Sequence, residues 1–99
     1  MRKTIAIILA LLPLPAVAQA PSVGWTLAER WCMACHVIER GRGTATSGDV
    51  PSFPAIAIRS TTTPETLDRY ISVGHTHMPD FSLSRSERDA LVAYILSLR

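Results

Sequence analysis

The two cysteines of this 99-residue chain, Cys32 and Cys35, stand only three positions apart. A disulfide between them would close a very small loop, so it would restrict the unfolded chain very little. No covalent crosslink can therefore join distant parts of the chain. Domains of this size commonly need a disulfide, a metal or a cofactor in addition to their apolar core. The sequence thus predicts a single small domain whose stability depends on what the cysteine pair binds.

The N-terminal residues have the pattern of an export segment. Arg2 and Lys3 precede an apolar run over residues 5–12, and small residues follow at 16–20. This order is typical of a secretory signal peptide with an A-x-A cleavage site. A membrane anchor would need roughly 20 apolar residues, whereas residues 5–18 form a shorter stretch that contains two prolines. We expect residues 1–18 to be a cleaved signal peptide, with a cut after residue 20 as the alternative, and residues 19–99 to be the domain.

Cleavage after residue 18 changes the charge of the chain. The formal charge of +2 includes Arg2 and Lys3, and the eight arginines that remain are matched by eight carboxylates. The mature chain is then neutral and has no lysine, and it contains no basic patch or charge run that indicates binding to nucleic acid or to an anionic membrane surface. An exported chain of this kind is expected in the bacterial periplasm, where disulfides can form.

Apolar periodicity predicts an all-α domain. The first helix extends from about residue 23 to 37, because positions 24, 27, 28, 31, 32 and 35 form one helical face. Residues 39–50 contain three of the five glycines and are predicted to be a loop. Residues 51–58 contain two prolines and form at most one helical turn. No segment alternates between apolar and polar residues as a strand would.

Two further helices have recognisable ends. Thr63 and Pro64 are suited to the N-cap and first position of one helix, and Gly74 is suited to ending it. Ser84 and Glu87 have the spacing of a capping box at the start of the last helix.

Residues 32–36 read Cys-Met-Ala-Cys-His, the spacing at which c-type haem is attached. On a helix the two thiols and the imidazole would project to one side, so the thiols could bond one porphyrin edge while the imidazole reached the iron. Zinc bound together with His75 and His77, a redox dithiol and a structural disulfide remain as alternatives. The zinc spacing fits no common module, and the dithiol lacks its usual βαβ context.

A haem iron held by one histidine either takes a second axial ligand or stays open for chemistry. Residues 74–81 contain three candidates, His75, His77 and Met78. Met78 lies in a polar, turn-rich segment and precedes Pro79, whereas a methionine that only fills a core would be expected on an apolar helix face.

The C-x-x-C-H segment, Met78-Pro79 about forty residues later and the closing helix with Tyr94 resemble class I c-type cytochromes, the small bacterial mono-haem cytochromes c. The resemblance covers residues 23–98. It implies the all-α cytochrome c fold, with three main helices and a short helical turn around one covalently bound haem c. It also implies that the first and last helices cross, with Gly24 and Ala28 against Tyr94.

The resemblance further assigns residues to the cofactor. It implies thioether bonds at Cys32 and Cys35, a proximal iron ligand at His36 and a distal one at Met78. The carbonyl of Pro51 is then expected to accept a hydrogen bond from the His36 ring. The other residues expected to line the haem pocket are Phe53, Ile56, Arg59, Leu67, Tyr70 and Ile71, with Arg59 and Trp25 as partners for the propionates.

These expectations indicate a periplasmic one-electron carrier and not an enzyme, because histidine and methionine together close both axial positions of the iron. Its partners would be periplasmic or membrane-bound redox proteins. We expect no nucleic-acid partner, no membrane insertion after signal cleavage, and a monomer. Two alternatives stay open: a haem c subunit of a periplasmic dehydrogenase complex, and a haem sensor or catalyst in which His75 or His77 replaces a labile Met78.

Overall fold

The computed structural model describes residues 8–13, 22–41, 50–75 and 77–99, and over these residues the fold is helical. The helices are α1 (Val23–Trp31), α2 (Phe53–Ala57), α3 (Pro64–Val73) and α4 (Arg85–Leu96). This part of the chain contains no strand, and its one β-bridge is an isolated pair. The predicted all-α class, with three main helices and one short helical turn, is confirmed.

Most of the predicted export segment and of the predicted glycine-rich loop lies outside the described residues. Residues 8–13 are described, and they are exposed and form no helix. Within the described ranges, none of the helices has the length and apolar character that crossing a membrane requires.

The predicted helix starts are present. The Thr63 hydroxyl accepts from the Thr66 backbone N–H at 3.1 Å, with Pro64 following the cap. At α4, the Ser84 hydroxyl accepts from the Glu87 N–H at 3.2 Å, and the Glu87 carboxylate accepts from the Ser84 N–H at 2.9 Å. This second bond, together with the Ser84 side chain, lowers the pKa of Glu87 because both favour the charged carboxylate.

The predicted extent of the first helix is wrong, because α1 ends at Trp31 and not near residue 37. The N–H groups of Cys32 and Met33 both donate to the Ala28 carbonyl, at 2.8 and 3.0 Å, so the regular ladder stops there. The next turn is separate, with Cys35 N–H and His36 N–H donating to the Cys32 carbonyl. The apolar period continues past residue 31 although the regular helix does not.

Helices α1 and α4 cross at Gly24, as predicted. A Cβ atom on Gly24 would lie 2.2 Å from the Ala90 carbonyl oxygen and 2.6 Å from the Cβ of Tyr94. Glycine is therefore required for the two backbones to approach this closely. Ala28 in the same helix is fully buried.

Tyr94 joins this crossing to the segment that follows residues 32–36. Its hydroxyl donates to the Ile38 carbonyl at 2.6 Å, and Ile38 is buried. Burial is the main reason that the pKa of Tyr94 is raised. The two helices and the cysteine segment thus form one packed unit. The buried core residues around it are Leu27, Ala28, Cys32, Ile38, Phe53, Ala57, Leu67, Ile71, Leu91, Val92 and Ile95.

Candidate functional site

The residue 32–36 segment forms one turn at the end of α1 and presents its side chains unequally. Cys32 is buried, with 6% of its surface exposed, whereas Cys35 is exposed. His36 is half-buried. The expectation that all three side chains share one helical face is therefore wrong: Cys32 and His36 line one solvent-open cavity, and Cys35 does not.

The thiol of Cys32 is a poor match for a redox dithiol. Burial, with a smaller contribution from Cys35, raises its pKa to about 11. The attacking thiol of a dithiol oxidoreductase instead has a lowered pKa, because the thiolate is the nucleophile. The zinc alternative also finds no support, since the described residues contain no group of three or more histidines, cysteines and acidic residues able to hold a metal.

The ring of His36 is fixed by its neighbours. Its Nδ1 lies 2.6 Å from the Pro51 carbonyl oxygen, the contact expected from the sequence. A carbonyl can only accept, so Nδ1 carries the proton and Nε2 is free to bind a metal. Phe53 packs at 5.2 Å between ring centroids, and its backbone N–H donates to the Val37 carbonyl at 2.9 Å. The 51–53 segment thus contacts both the His36 ring and the backbone of the next residue, Val37, and these contacts fix the orientation of the imidazole.

A cavity of about 700 Å³ opens beside Cys32 and His36. Its volume lies within the roughly 300–1,000 Å³ typical of sites for cofactors and drug-sized ligands. Buried apolar side chains line it, with Met78 among the lining residues. The Cys32 thiol, the His36 imidazole and the Met78 thioether at this cavity, with the Cys35 thiol one residue before His36 in the sequence, are a donor set suited to covalent haem. The residues predicted from sequence that line it are Cys32, His36, Pro51, Phe53, Ile56, Arg59, Leu67, Tyr70, Ile71 and Met78.

The segment that carries Met78 is fixed at both ends. His75 and Met78 form an isolated antiparallel bridge, with Met78 N–H donating to the His75 carbonyl at 2.7 Å. Beyond Met78, the ring of Phe81 packs on Trp31, the last residue of α1, at 5.3 Å between centroids. Met78 itself is half-buried. The contacts before and after it in the sequence hold it at the cavity.

Sequence comparison identifies the family. The family described as cytochrome c oxidase, cbb3-type, subunit III matches residues 19–95. The chain belongs to this family of c-type cytochromes. Cytochrome c-552 of Bradyrhizobium diazoefficiens strain USDA 110 is 44% identical over 84 residues, which cover 85% of this chain and 80% of that protein. No solved structure matches the chain.

As a c-type cytochrome, the protein carries covalently bound haem c, which accounts for the C-x-x-C-H spacing at residues 32–36. It is an electron-transfer protein that exchanges electrons with redox partners, and not an enzyme.

Several residues of the cytochrome's cavity are absent from the sequence prediction. They are Thr61, Thr62, Thr66, Arg69, Leu91 and Ile95. Leu91 and Ile95 are recognisable from the sequence as part of the apolar face of α4. Periodicity does not show whether such a face packs against a cofactor or against other core side chains. The threonines and Arg69 carry no sequence signal for a pocket.

Trp25 lies away from the cavity, contrary to its expected role beside the propionates. Its indole N–H donates to the Glu39 carboxylate at 2.5 Å. Trp25 therefore links α1 to the segment after residue 36. Arg59, the other residue expected beside the propionates, does line the cavity.

Proposed function

We propose that this cytochrome is a periplasmic one-electron carrier whose haem is bonded to Cys32 and Cys35 and ligated by His36 and Met78. The observation that carries the proposal is the meeting of Cys32, His36 and Met78 at one cavity of about 700 Å³, although Met78 is more than forty residues distant in sequence.

His36 and Met78 are the residues that would hold the haem iron, and both have suitable chemistry for it. The Pro51 carbonyl, 2.6 Å from Nδ1, fixes the tautomer and increases the basicity of Nε2. The thioether of Met78 carries no proton, so it needs no change of protonation to bind in either oxidation state. When bound, the haem iron accepts and releases one electron, and methionine ligation favours a raised potential.

The other lining residues keep water from the ligands. Phe53, Leu67 and Leu91 are buried and form apolar walls. The exposed Cys35 fits a cofactor edge that reaches the protein surface, where a redox partner can approach. Contacts of this kind between redox proteins are typically small, below roughly 1,200 Å², which suits brief docking.

Periplasmic export forms part of the same proposal. The order of charged, apolar and small residues over positions 1–20 supports a signal peptide cut after Ala18. The family match begins at residue 19 and leaves residues 1–18 outside it. Mass spectrometry of the protein secreted into the periplasm would test the cut, and an N-terminus other than Gln19 or Pro21 would contradict it.

A second candidate is a haem c subunit of a larger periplasmic redox enzyme. The matching family is named for an oxidase subunit. Trp31 and Met33, beside the first cysteine, are 36% and 57% exposed, and a permanent partner could cover them. Co-purification of a catalytic subunit from the native periplasm would favour this candidate, and isolation of the cytochrome alone would favour the free carrier.

The visible spectrum of the holoprotein tests the proposed ligation. Haem bonded at Cys32 and Cys35 should remain with the protein in acid–acetone. The weak far-red band of methionine-ligated ferric haem should be present in the wild type and in His77→Ala, and absent in Met78→Ala. Haem extracted by the solvent would contradict the thioether bonds, and a wild type without the far-red band would contradict Met78 as the ligand.

A further inference from the structure

His75 and Met78 lie side by side at the cavity. They face each other across the isolated antiparallel bridge, and the Met78 N–H donates to the His75 carbonyl at 2.7 Å. Residues directly opposite in an antiparallel pair project their side chains to the same face. Both residues line the cavity, so two side chains able to ligate iron are presented to it together.

His77 differs from His75 although both are exposed histidines of the same segment. Its φ of +64° places it in the left-handed region, and it does not line the cavity. The segment therefore offers the cavity one imidazole, not two. His77 is accordingly a matched control for any role of His75.

The ring of His75 is held at the cavity wall by Tyr70. Their centroids are 4.9 Å apart and their planes meet at 78°, an edge-to-face arrangement of the attractive kind. Tyr70 itself lines the cavity from α3. The imidazole is thus kept near the position that Met78 occupies although it is exposed to solvent.

We propose that His75 is a second distal ligand of the iron, which takes the position of Met78 when the methionine thioether is lost or released. The inference rests on the proposed His36 and Met78 ligation. In the exchange the iron–sulfur bond to Met78 would break and a bond from an imidazole nitrogen of His75 would form, with no electron transferred. The iron then keeps two protein ligands, and the bis-histidine form has a lower potential than the histidine–methionine form.

Three variants of the ferric holoprotein test this: Met78→Ala, Met78→Ala/His75→Ala and Met78→Ala/His77→Ala. We expect the first and third to be low-spin by electron paramagnetic resonance and visible absorption, and the second to be high-spin. Added imidazole should bind the second at least ten-fold more tightly than the first, because no internal ligand competes. It should also restore a low-spin spectrum, which shows that the variant retains its haem site.

A high-spin Met78→Ala, with the same imidazole affinity as Met78→Ala/His75→Ala, would overturn the proposal. Equal loss of the low-spin signal in the His77 variant would overturn it too, because the effect would then not belong to His75. Failure of the proposed Met78 ligation is distinguishable, since a wild type without the far-red band reveals it before any histidine is changed. Met78→Leu, which retains apolar volume, supplies the same comparison if Met78→Ala does not fold.

Discussion

Arg59 and Arg69 bring positive charge to a cavity whose walls are otherwise mostly apolar. Both are exposed, and among the described residues neither guanidinium is joined to a carboxylate by an ion pair. A cation near a haem disfavours the ferric form, which carries one more positive charge than the ferrous form. We therefore expect the two arginines to raise the reduction potential of the haem.

Arg59→Gln should lower the midpoint potential of the holoprotein. Loss of the cation stabilises ferric haem, and solvent screening limits the effect to the order of tens of millivolts. A spectroelectrochemical titration measures it. Arg85→Gln is the matched control, because Arg85 lies at the start of α4 and does not line the cavity. Equal shifts in the two variants would contradict a local effect of Arg59.

The role of a single residue was predictable from the sequence where the residue belongs to a short motif. The C-x-x-C-H spacing identified the cysteines and His36, and the resemblance supplied the Pro51 contact, which the structure contains at 2.6 Å. The different placement of His75 and His77 was not predictable. It depends on the backbone of one tight bridge, with φ of +64° at His77, and the residue types alone do not specify that backbone.

Helices α1 and α4 form the element pair on which the site is built, and Gly24 sets their separation. Gly24→Ala would place a Cβ 2.2 Å from the Ala90 carbonyl oxygen, which belongs to backbone and cannot move aside without moving α4. Overpacking of this kind costs about 1–3 kcal/mol or more. Alanine regains roughly 1 kcal/mol of helix propensity.

The short contact places this substitution at the upper end of the overpacking cost, and the gain in helix propensity offsets part of that cost. We therefore expect Gly24→Ala to lower the free energy of unfolding by about 1–2 kcal/mol or more. Guanidinium denaturation of the holoprotein, followed by far-UV circular dichroism, measures the change. Glu29→Ala, at an exposed position of the same helix, should change it little. A variant as stable as the wild type would mean that the helices can separate without loss.

Helix starts were more predictable than the end of α1, for a physical reason. The side chains of Thr63 and Ser84 accept hydrogen bonds from backbone N–H groups of the first turn, so the residue type at the N-cap predicts where each helix starts. The end at Trp31 depends instead on two N–H groups that share the Ala28 carbonyl. Cys32 and Cys35 continue the apolar spacing beyond this end, although Cys35 is exposed, and periodicity therefore predicts a helix that is too long.

At the scale of the whole molecule, the core and the cofactor site are largely the same set of side chains. Phe53, Leu67, Ile71, Leu91 and Ile95 are core residues and also line the cavity. Without a cofactor these side chains would border a space of about 700 Å³ that is open to solvent, and their apolar surface would face water. Small domains have a total stability of only about 5–15 kcal/mol. We therefore expect the apolar walls to lose this arrangement when the group that they enclose is absent.

The chain without haem should therefore lack a cooperative fold. Cys32→Ala/Cys35→Ala, produced free of haem, is expected to have reduced helicity and a broad thermal transition by far-UV circular dichroism, whereas the wild-type holoprotein melts cooperatively. Wild-type chain produced without haem maturation should behave like the double variant, which separates the loss of haem from the loss of the thiols. A sharp transition with native helicity in either haem-free chain would mean that the helices pack stably by themselves, and that the cofactor contributes electron transfer but not the fold.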